Sequence, residues 1–163
     1  MEIFNLHPYK AKPLRDEASA TLLRFKHKQP KAMAHYHMLL ATWIEQNIDL
    51  PHVIIAMPSH KKDNTASLEL LLPTLCRQFP LLTHGRITKL RDTPSQALTG
   101  MRNYQRLLTS LRIESNVYHK HVLFVDDVSV TGTSFRALST LAERMDALSI
   151  TCLALATSKT QIT

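Results

Sequence analysis

The chain has 163 residues, a length that suits one domain able to bury about two-thirds of its surface without covalent staples. Its 20 basic residues outnumber 13 acidic ones, a formal charge of +7, and its two cysteines, Cys76 and Cys152, lie far apart in apolar settings. Two cysteines cannot form a four-Cys zinc ribbon and read as buried free thiols. The sequence has neither an apolar run of ~18 residues nor a charged-then-apolar leader, so no membrane span or secretory signal is expected and the expected location is the cytoplasm. Seven basic and two acidic residues fall between Lys10 and Lys31. Such a surplus suits a polyphosphate ligand or a nucleic acid, and equally a solvated helix face; the aromatic-basic interleaving of single-strand binders is missing.

In chain order, Leu14, Ala18, Leu22 and Phe25 form a helical stripe that ends before Pro30. Tyr36, Leu39, Leu40, Trp43 and Ile44 form a second, ending before Pro51. Val53 to Met57 is an uninterrupted apolar run of strand length, followed by Pro58 and a polar segment. A helix through Leu68, Leu71, Leu72 and Leu75 is predicted behind an Asp63-Asn-Thr cap, with Pro73 kinking it or setting its effective start. Leu81 to Ile87 reads as a weaker strand. Met101, Tyr104, Leu107, Leu108 and Leu111 share a helical face. Val122 to Val125 reads as a central parallel strand, Phe135, Leu138, Leu141, Ala142 and Met145 as a helix, and Ile150 to Ala156 as a closing strand. This alternation predicts one α/β domain over 1–163: a mainly parallel sheet flanked by helices over 51–163, with a small helical cover over 1–50.

The chemistry concentrates between His121 and Ser134, His-Val-Leu-Phe-Val-Asp-Asp-Val-Ser-Val-Thr-Gly-Thr-Ser. Asp126 and Asp127 are predicted at the carboxyl end of the strand, the rim where open α/β sheets bind ligands. The loop Ser129-Val130-Thr131-Gly132-Thr133-Ser134 holds one of three glycines and feeds a helix start, where free N–H groups and the macrodipole favour phosphate. Four apolar residues, two acids and a Thr-Gly-x-Thr/Ser loop resemble the phosphoribosyl pyrophosphate (PRPP) signature of type I phosphoribosyltransferases. The resemblance implies that Asp126 and Asp127 hold the ribose hydroxyls, that residues 129–134 cradle the 5′-phosphate, and that Mg²⁺ accompanies the pyrophosphate, touching the two acids at most through water or ribose hydroxyls.

Two further segments are similar to the competence protein ComF family: Ala56-Met-Pro-Ser-His-Lys-Lys62 after the first strand, and Arg91-Asp-Thr-Pro-Ser-Gln-Ala-Leu98 before a helix bearing Arg102. Leu23-Arg-Phe-Lys-His-Lys28 resembles a third stretch of that family, so the likeness runs from about residue 14 to Ser158. Ser59, His60, Lys61, Lys62 and Arg102 are thereby candidates for pyrophosphate, and Arg91 for catalysis as a mobile-loop cation. Solvated lysines and a surface turn at Pro94 explain the same residues without a site. His35 and His37, two apart on a predicted helix, do not share a face and make poor metal ligands.

The departures are equally specific. The family's N-terminal zinc ribbon is absent, the segment after Pro58 is shortened, and Gln96 stands one residue nearer Leu98 than the family pattern has it. Val130 replaces the Asp with which hypoxanthine-type salvage enzymes handle a purine proton, which disfavours that role. The expected activity is transfer of ribose 5-phosphate from PRPP to a nitrogen acceptor with release of pyrophosphate, and no second motif identifies the acceptor. The alternative is a non-catalytic PRPP-sensing or competence-associated binding protein with nucleic-acid contact; a homodimer is compatible with either.

Overall fold

The computed structural model describes residues 1–8, 16–61, 64–92, 104–129 and 131–157. Five parallel strands form the main sheet in the order β1-β7-β6-β2-β3: β1 Glu2–Pro8, β2 His52–Ala56, β3 Leu82–His84, β6 His121–Ser129 and β7 Ser149–Thr157. The strands β4 Ile87–Lys89 and β5 Leu111–Ile113 pair antiparallel in a separate ribbon. The helices are α1 Glu17–Lys26, α2 Pro30–Asn47, α3 Ser67–Gln78, α4 Tyr104–Ser110 and α5 Thr133–Glu143. The mainly parallel sheet flanked by helices is the architecture that the alternating pattern predicts.

Local chemistry explains most element boundaries. Asp16 caps α1 by accepting from the Ser19 N–H at 2.9 Å, and Pro30 opens α2 at a position that needs no N–H. The Glu69 carboxylate accepts from the Ala66 N–H at 2.6 Å and so starts α3. The start therefore lies at Ala66, later than the Asp63-Asn-Thr cap predicted. Pro73 sits inside that helix and is not its start.

Strand alternation divides the core into two. Ile54, Ala56, Leu123, Val125 and Leu153 turn to one face, where they meet Leu22, Phe25, Tyr36, Leu40 and Leu72 of α1, α2 and α3. Val53, Ile55, Val122, Phe124, Cys152 and Ala154 turn to the other and meet Leu107, Phe135 and Leu138 of α4 and α5.

Four expectations change. The sequence pattern places residues 2–8 within a helical cover, yet they form the edge strand β1, in register with 151–157. β7 is therefore interior to the sheet and does not close it. The single strand expected over 81–87 is two: β3 ends at His84, and the chain leaves the main sheet at Gly85, whose N–H donates to the Ile54 carbonyl at 2.8 Å. Leu111, assigned to the helical face of Tyr104 and Leu107, begins β5 because the helix ends at Ser110. Leu14 and Met101 fall outside the described residues.

Candidate functional site at the sheet switch point

The order of connections locates the crevice. From β2 the chain passes through α3 to β3 on one side, and from β6 it passes through α5 to β7 on the other. Adjacent parallel strands whose connections diverge in this way leave a gap beyond their carboxyl ends, where α/β sheets take ligands. Pairing of β2 with β6 stops at Ala56–Val125, extended by one bond from the Met57 N–H to the Val125 carbonyl at 2.7 Å. Beyond that point β6 continues against β7 alone, through Asp126–Ala154, Val128–Ala156 and Ser129–Thr157. The segments 57–61 and 126–134 thus flank one opening.

The two acids lie toward the carboxyl end of β6, beyond the last pair with β2, where the sequence places them. The strand continues past them to Ser129, so they are still strand residues and their side chains point to opposite faces. Asp126 is buried, 5 % exposed, and accepts from the Asp127 N–H at 2.8 Å. Its charge reaches the second core face, where it helps raise the Cys152 thiol, which burial chiefly pushes up to about 12. Asp127 turns toward α1, and its carboxylate lies 3.2 Å from Lys26 Nζ. Burial raises the Tyr36 phenol above its ordinary range, and the nearby Asp127 charge raises it further.

Tyr36 is tied in turn to β1. The His7 Nδ1 lies 2.9 Å from the Pro8 carbonyl, which can only accept, so Nδ1 carries the hydrogen. In the neutral ring Nε2 then accepts from the Tyr36 hydroxyl at 2.7 Å. Lys26, Tyr36 and His7, which adjoin Asp127 directly or through a chain of contacts, are not singled out by the sequence as candidates. Only Lys26 had a sequence signal, within the Leu23–Lys28 stretch.

The loop after β6 holds the geometry its composition suggests. Gly132 precedes the first residue of α5 with φ +74°, and its carbonyl accepts from the Arg136 N–H at 2.9 Å. An added Cβ there would meet only Ile3 Cδ1, at 3.9 Å, so the positive φ and not crowding selects glycine. The Thr131 and Thr133 hydroxyls are 2.7 Å apart, and the Ser129 carbonyl accepts from the Thr157 hydroxyl at 3.0 Å. Ser134 is buried in the first turn of α5. The first N–H groups of that helix therefore adjoin the acid-bearing strand, an arrangement suited to an anion.

On the β2 side, Ser59 organises the loop. Its hydroxyl accepts from the Asn64 side-chain amide at 3.0 Å and the Lys61 N–H at 3.4 Å, and its carbonyl accepts from Lys89 Nζ at 2.6 Å. Lys89 is 4 % exposed, unusual for a lysine, and nothing in the sequence around it distinguishes it. Arg91 is directed to the end of α4, where it donates to Ser110 Oγ at 3.0 Å and to Thr109 Oγ1. Lys62, Arg102 and Val130 lie outside the described residues, as does the segment from Pro94 to Leu98.

No group of three His, Cys, Asp or Glu side chains among the described residues could hold a metal ion. Because Asp126 and Asp127 face opposite ways, they cannot chelate one ion together. The donor set suits a hard cation whose other ligands are phosphate oxygens and water.

Neither a family model nor a curated protein matches the chain. Among solved structures it is similar to a hypoxanthine phosphoribosyltransferase from Staphylococcus aureus, with 15% identity and TM-score 0.45 over 86% of this chain and 64% of that one. The chain thus spans under two-thirds of that enzyme's length. An adenine phosphoribosyltransferase gives 15% identity and TM-score 0.49 over 80% of this chain and 74% of the other. A purine phosphoribosyltransferase from Pyrococcus horikoshii Ot3 gives 14% and 0.45 over 96% and 82%. Likeness this distant assigns neither substrate nor site residues.

Proposed function

We propose that this chain is a type I phosphoribosyltransferase-like protein that binds PRPP with magnesium and transfers ribose 5-phosphate to a nitrogen acceptor, releasing pyrophosphate. The observation that carries the reading is the sequence of groups along one rim of the switch point: Asp126 and Asp127, then the 129–134 loop with left-handed Gly132, then the start of α5.

Residues 129–134 surround the 5′-phosphate, with backbone N–H groups and the Thr131, Thr133 and Ser134 hydroxyls as donors. Asp127, one-third exposed, accepts from a ribose hydroxyl and opposes the positive charge that develops on the sugar. Asp126 is a positioning residue that holds the backbone N–H of Asp127. Ser59, His60, Lys61 and Lys62 are assigned to the pyrophosphate, and Lys89 holds Ser59 through its carbonyl. Arg102 joins them, and Arg91 acts from the end of α4.

In the reaction the bond from the anomeric carbon to the pyrophosphate oxygen breaks, and its electron pair leaves with pyrophosphate. The acceptor nitrogen supplies the lone pair of the new bond and gives up a proton. Magnesium, when bound, would neutralise charge on the leaving pyrophosphate; Asp127 would reach it only through water or a ribose hydroxyl.

The test is incubation with PRPP, magnesium and a panel of nucleobases and other nitrogen acceptors, with pyrophosphate release measured alongside calorimetric PRPP binding. Release with one acceptor is the expected result and names the substrate. Binding without release across the panel selects a PRPP-sensing protein, and failure to bind PRPP overturns both.

A further inference from the structure

The opposite end of the sheet carries a different set of groups. A cavity of about 300 Å³ opens at the starts of β2 and β6, lined by His52, His119, Lys120 and His121 and walled by Pro51 and Leu148. The length of β6, roughly 26 Å at 3.3 Å per residue, separates it from the 129–134 loop. Among the described residues no carboxylate lines it.

His52 and His121 occupy paired positions on β2 and β6, and their rings stack with centroids 5.2 Å apart and planes inclined by 29°. His52 Nδ1 lies 2.8 Å from the Leu50 carbonyl and so carries a hydrogen. His121 Nδ1 is bonded to Ser149 Oγ at 2.6 Å. Both rings are thereby fixed through Nδ1, which leaves Nε2 of each for a ligand.

The turns around them are clipped together. His119 and Asp146 both adopt left-handed conformations, φ +51° and +55°, and the His119 N–H donates to the Asp146 carbonyl at 2.9 Å. The Leu148 N–H donates to the Lys120 carbonyl at 2.9 Å. These bonds hold the basic turn 119–121 beside Leu148, which is 61 % exposed. The Lys120 ammonium is a donor, His121 Nε2 donates when Nδ1 accepts from Ser149 Oγ, and His52 Nε2 donates in the imidazolium form; with the apolar wall, this frame is prepared for an anion that has an apolar part.

We propose that this cavity is a second binding site, for a small organic oxyanion: a phosphate or carboxylate carried on an apolar body. Oxyanion oxygens meet the imidazoles and Lys120, and the body lies against Pro51 and Leu148. The proposal is independent of the PRPP reading, because it uses none of the residues at the other rim.

The test follows the imidazole resonances of the full-length chain by NMR, assigned with His52→Gln and His121→Gln. Phenyl phosphate, benzoate and inorganic phosphate are titrated in turn, with ribose 5-phosphate present to compete at the far rim. Saturable shifts of the His52 and His121 signals with phenyl phosphate or benzoate are expected, and whichever binds tighter identifies the headgroup. Inorganic phosphate is expected to bind at least ~10-fold more weakly, and Lys120→Ala, at an exposed position, to weaken the organic anions ~10-fold with an unchanged urea midpoint. Absence of saturable shifts with all three probes, or shifts that Lys120→Ala and His52→Gln leave unaltered, would overturn the proposal. Equal affinity for inorganic phosphate and both organic anions would overturn its apolar part.

Discussion

Gly132 and Gly85 are glycines for different physical reasons, and substitution separates them. At Gly132 the backbone has φ +74° and a Cβ would make only an ordinary contact with Ile3 Cδ1 at 3.9 Å, whereas at Gly85 a Cβ would lie 2.6 Å from Cγ1 of both Val53 and Ile55. Gly132→Ala is expected to cost about 1 kcal/mol of stability and to weaken ribose 5-phosphate binding, because relaxing φ redirects the loop N–H groups. Gly85→Ala is expected to cost about 1–3 kcal/mol by overpacking while leaving that affinity intact. Urea unfolding and calorimetric titration of both variants check this; an affinity loss at Gly85 alone would move the phosphate away from the loop. The two acids divide in the same way. Asp127→Asn removes a half-exposed ion pair worth at most about 1 kcal/mol, but also a charge-assisted bond to ribose of about 1.5–3 kcal/mol, so PRPP affinity is expected to fall about tenfold or more with little change in stability. Asp126→Asn, at a buried position, is expected to lower the urea midpoint as well. Equal stability of the two variants would contradict the opposite-facing arrangement.

Among the elements, α3 carries a built-in weakness. Pro73 sits in its interior, where it cannot donate to the carbonyl of Glu69, four residues earlier, yet Leu68, Leu71, Leu72 and Leu75 are buried and keep the helix in place. Pro73→Ala restores that bond and is expected to raise stability by about 1 kcal/mol or more, read as a higher urea midpoint at constant m. β7 makes stability sensitive to alkali. Burial pushes the Cys152 thiol up from its ordinary 9.0 to about 12. The folded value lies above the unfolded one, so this contribution is complete below pH 9 and is lost as pH rises from about 9 toward 12. Tyr36, raised from 10.0 by burial and by Asp127, acts in the same direction at higher pH. The urea midpoint is expected to be lower at about pH 10.5 than at pH 8, and Cys152→Ala is expected to narrow the difference; an unchanged difference would remove Cys152 as a cause.

At the scale of the whole molecule, a ligand that binds only the folded chain stabilises it by mass action. PRPP with magnesium at a hundredfold excess over its dissociation constant is expected to add about 2.7 kcal/mol and raise Tm, measured by thermal unfolding with and without the ligand. No shift at millimolar PRPP would count against the rim site as a whole. What the sequence determined by itself were the features written in local chemistry. The apolar runs at 53–57 and 122–125, the helical stripes through Leu22, Tyr36 and Leu68, and the small-residue loop with Gly132 each carry their own period or backbone requirement, and the structure contains all of them. Tertiary structure alone decided the rest. Residues 2–8 have no strong strand pattern and become β1 because β7 offers a free edge. The buried Lys89 and its bond to Ser59, the pairing of Asp127 with Lys26, and the link from His7 to Tyr36 join residues 29 to 101 positions apart, and no local pattern encodes such contacts. The opposite orientation of Asp126 and Asp127 has the same origin: hydrogen bonding to β7 carries the strand past both acids, and an extended backbone turns neighbouring side chains to opposite faces.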